Sequence, residues 1–434
     1  MKKLILLSLA LITSLMALSQ EASLAERLKQ IPEIKQVTKL STDTLFKEKY
    51  LLMIEQPVDH HHPEKGTFTQ RVFLSHLGYD QPVVFTTEGY AAWYELMPRY
   101  VNELSVLLQA NQLTVEHRYF GKSVPDSLRW KYLTVEQAAT DHHKVIELLK
   151  GIYDDNKWLN TGISKGGQTA IYHRYHFPED VDMTVGYVCP LNFSFEDSRV
   201  YEFLEQVGTG ECREKLLDYQ KYMLKNKDTF LPMFRKASQK KQYTYPFNDT
   251  AAYEMVILEY PFAFWQWGTI GCDAIPGPSA SDSVSFAHLQ EVSPFDYFSK
   301  NGISRLLPFF YQAMTEIGYY GYDLEPYGDL IEAVEDATFM FTIPDEIEIS
   351  YDYTKMQDVK NWLQKDAERM LFIYGESDPW SATAVETGGN EKLIKIVKPE
   401  GSHRARIRNL PESQRNKVYQ AIREWMGVEL YPFE

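Results

Sequence analysis

The sequence predicts an α/β fold, a mainly parallel sheet with a large and mostly helical segment inserted before its last strands. Three observations predict it. Strand-length apolar segments alternate with segments of helical period through the first part of the chain. A Gly-x-Ser-x-Gly turn, Gly162-Ile163-Ser164-Lys165-Gly166, joins one such strand to the helix after it. The alternation then stops over residues 195–354, where aromatic-rich, helix-like segments dominate, and resumes near the C-terminus.

Taken in order, the 434 residues suit a core of roughly 250 residues carrying one large insertion. Lys2 and Lys3 precede an apolar run over residues 4–18, and Ala17-Leu18-Ser19 supplies small residues around a cleavage point. The run is shorter than the ~20 apolar residues of a spanning helix. Residues 1–19 therefore read as a signal peptide, and the protein as exported, periplasmic or extracellular, with no stable membrane insertion after cleavage.

Residues 20–194 read as the first part of the core. A polar helix-like stretch leads into strand-like segments at 50–56, 67–75, 83–87 and 113–117. Between them, 94–108 carries apolar residues at helical spacing, and Thr134 with Gln137 forms a capping box that opens a helix to about residue 149. A strand at 158–161, a helix at 168–176 and a strand at 184–188 complete this half. Residues 195–354 read as an inserted lid, and residues 355–434 as the second part of the core, with strands at 369–374 and 393–397 and an amphipathic helix at 412–426.

Composition excludes some functions. Hydrophobic residues make up 44% and aromatics 14%, which argues against long disorder. The formal net charge of -15 argues against nucleic-acid binding, which needs a basic surface, and favours cationic ligands such as a peptide's ammonium terminus. Of three cysteines at most one pair can bridge, leaving one thiol free. Cys189 ends an apolar run and reads as a buried thiol, so Cys212 and Cys272, both in the insertion, are the disulfide candidates.

A serine hydroxyl attacks poorly unless a base takes its proton, so Ser164 calls for an acid and then a histidine later in the chain. Ten of the eleven histidines lie at or before His288, which leaves His403, in the polar turn after the 393–397 strand. Asp378, in Gly375-Glu376-Ser377-Asp378-Pro379, is the acid, with Glu376 as the alternative. The oxyanion hole would take the N–H of Lys165 and that of Gly89 or Tyr90, in the loop after the 83–87 strand. The triad type is that of an α/β-hydrolase. No metal or other cofactor is expected, because Asp59-His60-His61-His62 lacks a second ligand cluster.

These residues resemble the secreted bacterial prolyl tri/tetrapeptidyl aminopeptidases and, more distantly, prolylcarboxypeptidase and dipeptidyl peptidase II. The resemblance is carried by Gln56-Pro57-Val58-Asp59-His60, Gly66-Thr67-Phe68-Thr69-Gln70-Arg71, Glu116-His117-Arg118-Tyr119-Phe120-Gly121-Lys122-Ser123, Gly162-Ile163-Ser164-Lys165-Gly166-Gly167 and the aromatic run Tyr260 to Gly268. It implies a serine exopeptidase acting on peptides, releasing tri- or tetrapeptides from free amino termini with proline before the scissile bond. A proline-specific carboxypeptidase, a dipeptidyl peptidase or a generic esterase is the alternative. Phe262, Phe264, Trp265 and Trp267 are candidate walls of a proline pocket. Glu88 and Glu116 are candidates for the ammonium, either of which reads alternatively as a structural acid paired with Arg118.

Overall fold

Among the described residues, 22–154 and 156–433 of a computed structural model, nine strands build one sheet. The signal segment read at residues 1–19 lies outside them. The strands are β1 (Ile34–Leu40), β2 (Glu48–Pro57), β3 (Thr67–His76), β4 (Val83–Thr87), β5 (Asn111–Val115), β6 (Trp158–Ile163), β7 (Met183–Tyr187), β8 (Met370–Gly375) and β9 (Leu393–Lys398). Their spatial order is β1-β2-β3-β5-β4-β6-β7-β8-β9. The β1, β2 and β3 pairings are antiparallel, and every pairing from β5–β4 to β8–β9 is parallel.

The parallel strands β4, β5, β7 and β8 are buried at every position, as helices on both faces require. Successive residues point to opposite faces: Val83 and Phe85 pack with Val145, Leu149 and Trp158, whereas Val84 packs with Leu104, Val185 and Ile373. At the far edge, β1 buries only Ile34 at its start and carries polar or half-exposed side chains thereafter. Charged residues on an edge strand discourage pairing with other chains.

Two local expectations change. The 94–108 segment forms two short helices, Trp93–Leu96 and Glu103–Leu108, because Pro98 interrupts it and Asn102 caps the second, accepting from the Leu104 N–H at 2.9 Å. At Val135–Lys150 the capping box is half made. Thr134 accepts from the Gln137 N–H at 3.2 Å, but the Gln137 side chain turns to the His60 N–H and to Asp59.

Between β7 and β8 lie helices without a strand of the sheet. The central one, Asp249–Trp267, is buried from Ala251 to Tyr260 and again at Phe262, Ala263 and Phe264, so it is a core helix rather than an amphipathic one. Pro261 lacks the N–H that would bond the Ile257 carbonyl, and the buried Gln220 amide donates to that oxygen at 2.6 Å instead. A disulfide joins Cys212 to Cys272, with Cα atoms 5.5 Å apart, and Cys189 is a buried free thiol. No helix among the described residues is long and apolar enough to cross a membrane.

Candidate active site

The strand β6 ends at Ile163 and the helix Lys165–His176 begins at once, which leaves Ser164 to make the whole turn. Its φ of 56° and ψ of -123° are values that L-residues rarely adopt. The turn is held from outside: the Ser164 N–H donates to the Tyr187 carbonyl at 2.8 Å, and the Thr87 hydroxyl donates to the Gly166 carbonyl at 3.2 Å. Glycine is required at 162 because a Cβ there would overlap the Gly166 carbonyl.

Asp378 follows β8 and His403 follows β9, adjacent parallel strands whose ends bring the two loops together. A side chain at Gly375 would collide with the carbonyls of Gly401 and Ser402, so its absence lets the loops touch. Asp378 is fully buried and its Oδ2 lies 2.7 Å from Nδ1 of His403. Its Oδ1 accepts from the Trp380 N–H at 3.3 Å. Glu376, the alternative acid, is exposed and accepts from the Glu400 N–H instead. The His403 main chain is anchored elsewhere, its N–H donating to the Gln266 carbonyl at 2.8 Å, while the Trp267 ring stands edge-on to the imidazole at 5.8 Å.

The loop after β4 crosses the elbow closely enough that a Cβ on Gly89 would sit 2.7 Å from Lys165 and Gly166 backbone atoms. The N–H of Gly89 donates to the Glu88 carboxylate at 3.0 Å, and the N–H of Tyr90 also faces that carboxylate. Lys165 opens a helix, where amides lack intrahelical partners. Burial raises the Glu88 carboxyl above its ordinary range and pushes the Lys165 ammonium down to about 7, against the pull of Glu88.

A cavity of about 270 Å³ opens beside Ser164. Its walls include Tyr90, Phe262, Trp267, Phe309, Tyr319, Tyr320 and Trp380, with Glu259 among them. Phe262 stacks on Tyr320 at 3.9 Å and meets Trp380 edge-on at 5.2 Å. Such a cage suits a compact apolar ring. A hydroxyl at a strained elbow, a carboxylate-bound imidazole and loop amides are the parts of nucleophilic acyl transfer.

The sequence matches the PS-10 peptidase S37 family over residues 19–432. The chain belongs to that family. It is 32% identical over 416 residues to a prolyl tri/tetrapeptidyl aminopeptidase of Streptomyces mobaraensis, covering 94% of this chain and 86% of that one. A lysosomal Pro-X carboxypeptidase of Homo sapiens is 21% identical over 423 residues, 85% of each chain. A probable serine protease EDA2 of Arabidopsis thaliana is 23% identical over 412 residues, 83% of this chain and 82% of that one. The protein is a serine peptidase.

Within this peptidase, the residues singled out from sequence divide by position. Ser164, Phe262 and Trp267 line one cavity. Phe264 does not; it is buried in the helical segment with its ring against Trp265 at 5.2 Å. Trp265 lines another cavity of about 380 Å³, which Phe262 also borders and where Tyr201, Arg213 and Tyr327 stand but no triad candidate does. On the helix, positions 262 and 265 share one side, which is why Phe262 borders both cavities, and 264 and 267 share the other. Glu88 and Glu116 line neither cavity. Glu116 is fully buried and occupied by Arg71, by the N–H groups of Ala92 and Lys122 and by the Ser123 hydroxyl. Its partner is Arg71, not Arg118, which pairs with Asp141 at 2.6 Å. Sequence reasoning missed the walls Phe309, Tyr319, Tyr320 and Trp380, and it missed Glu259. A lone carboxylate in Met255-Val256-Ile257-Leu258-Glu259-Tyr260 was the available signal.

Proposed function

We propose that this peptidase is an exported serine exopeptidase that removes tri- or tetrapeptides from free amino termini, with proline before the scissile bond. The observation that carries the reading is the 2.7 Å contact of His403 with buried Asp378, together with a strained Ser164 that opens into a ring-walled cavity whose Trp267 stands edge-on to the His403 ring. Kinship with the Streptomyces mobaraensis aminopeptidase supports the substrate class.

In this reading Ser164 Oγ attacks the carbonyl carbon after proline while Nε2 of His403 takes the hydroxyl proton. Asp378 holds the other ring nitrogen protonated and stabilises the imidazolium. The Lys165 N–H, with that of Gly89 or Tyr90 once Glu88 turns aside, would meet the oxyanion. The C–N bond then breaks, the leaving amine takes the proton from His403, and water repeats the sequence on the acyl-enzyme. The ring cage would receive proline, and residues 195–354 would act as the lid that closes one end of the cleft. Residues 1–19 would direct export and be removed.

The test digests proline-containing peptides, with free and acetylated amino termini, and reads the fragments by mass. Tri- and tetrapeptides ending in proline are expected, released at least about tenfold faster from the free terminus. Fragments released from the carboxyl end, or equal rates on both substrates, overturn the reading.

A further inference from the structure

Glu259 is 5% exposed and lines the cavity that holds Ser164. Its Oε2 accepts from two phenols, Tyr322 at 2.6 Å and Tyr320 at 2.9 Å. Among the described residues no Lys, Arg or His side chain pairs with it. Other buried carboxylates have a positive or imidazole partner: Glu95 has Lys49 at 3.1 Å, Asp141 has Arg118 at 2.6 Å, Glu254 has Lys227 at 2.7 Å, and Asp378 has His403 at 2.7 Å, while Glu88, bonded to the Gly89 N–H and the Tyr94 hydroxyl, has the pull of Lys165. Glu116 and Glu316 have Arg71 and Lys355. Among the described residues, Arg305 is the one Lys or Arg side chain that lines this cavity. It is largely exposed and already paired with Asp296 at 3.3 Å.

A buried carboxylate without a counter-ion is unfavourable, and proteins either supply the cation or leave the group protonated. Here the cation is missing in the cavity that holds Ser164. We propose that Glu259 is the receptor for the substrate's α-ammonium, a specificity-determining residue whose separation from Ser164 sets how many residues are counted off. The proposal rests on the aminopeptidase reading above. The two phenols occupy Oε2 and fix the carboxylate's orientation, which leaves Oε1 for an incoming N–H. Burial holds the Glu259 carboxyl up to about 7, and an ammonium beside it would draw that value down, so binding and ionisation reinforce each other. An acetylated terminus brings no charge and puts an amide against the carboxylate.

The test compares wild type with Glu259→Gln on two matched tripeptidyl anilides, both with proline before the scissile bond, one free and one acetylated at the amino terminus. Gln keeps the size and can still accept from Tyr320 and Tyr322. The wild type is expected to favour the free substrate by about tenfold or more, and the variant to lose most of that preference through a raised KM for the free substrate. A variant that keeps the preference overturns the assignment and leaves the aminopeptidase reading in place. A wild type without any preference overturns that reading, and the proposal with it. Equal losses on both substrates mark a structural role and overturn the proposal. Should Glu259→Gln fail to label at Ser164 with a fluorophosphonate, Tyr322→Phe keeps the carboxylate but removes one of its donors. Its preference for the free substrate is then expected to fall several-fold, and an unchanged preference overturns the assignment.

Discussion

Ser164 is placed by a backbone that no side chain in the turn could hold alone, so its chemistry is separable from its fold. Ser164→Ala and His403→Ala are each expected to reduce kcat by several orders of magnitude with unchanged circular dichroism. Asp378→Asn should cost about 10⁴-fold, through loss of the correct imidazole tautomer. Glu376→Gln should leave steady-state rates near wild type, because that carboxylate serves only the Glu400 amide. Glu259 makes a second prediction, about stability. Its ordinary value of 4.5 is raised to about 7 by burial, against its bonds to Tyr322 and Tyr320. The other groups near it are the phenols of Tyr297 and Tyr319, with Asp296 and Arg305 on the same cavity wall. Between those two pH values the folded chain holds a proton that the unfolded chain has lost, so this group's contribution to stability falls as pH rises. Glu259→Gln, which never ionises, is expected to match wild type below pH 4.5 and to exceed it by roughly 2 to 3 kcal/mol above pH 7. Thermal unfolding of both proteins across pH 4 to 8 checks it, and a constant difference would remove the buried-charge account.

At the scale of elements, close approach is the recurring device. Gly89→Ala places a Cβ 2.7 Å from the elbow backbone and should push the loop after β4 away from Ser164. A loss of about 10²- to 10³-fold in kcat, as for one oxyanion donor, is expected, with fluorophosphonate labelling slowed in parallel. The disulfide closes 60 residues around the Asp249–Trp267 helix. Cys212→Ser with Cys272→Ser should therefore lower unfolding free energy by about 2 to 4 kcal/mol, measured in denaturant, while Cys189 stays unreactive in the folded chain. The elements legible in the sequence were those whose burial pattern is strong. The buried strands β4, β7 and β8 read as apolar runs, and the helix Glu412–Met426 read as amphipathic. The edge strand β1 was not legible, because Lys35, Gln36 and Lys39 break any apolar alternation and only pairing with β2 makes it a strand. The capping box at Thr134 was half right for a tertiary reason, since Asp59 and His60 compete for the Gln137 side chain.

For the whole molecule, the formal net charge of -15 and a cationic substrate terminus predict a salt effect. The value of kcat/KM for free peptides should fall a few-fold as ionic strength rises from about 0.01 to 0.15 M, where screening shortens from roughly 30 to 8 Å, and acetylated peptides should show little change. Equal salt dependence would remove steering as the cause. The cage around Ser164 was illegible for a long-range reason: Tyr90, the 309–320 segment and Trp380 lie far apart in the chain, and only the packing of the helical segment on the sheet brings them together. Chain order, by contrast, pointed to Asp378 and His403 as a pair, and the structure sets them on the loops after the adjacent strands β8 and β9, 2.7 Å apart. The bond from the His403 amide to the Gln266 carbonyl crosses from the β9 loop to the end of the Asp249–Trp267 helix. An amide held by another segment exchanges its hydrogen only when that segment moves off. This one proton is thus a built-in gauge: its exchange rate clocks how often the β9 loop and the end of that helix part, and any ligand seated against Trp267 should slow the clock.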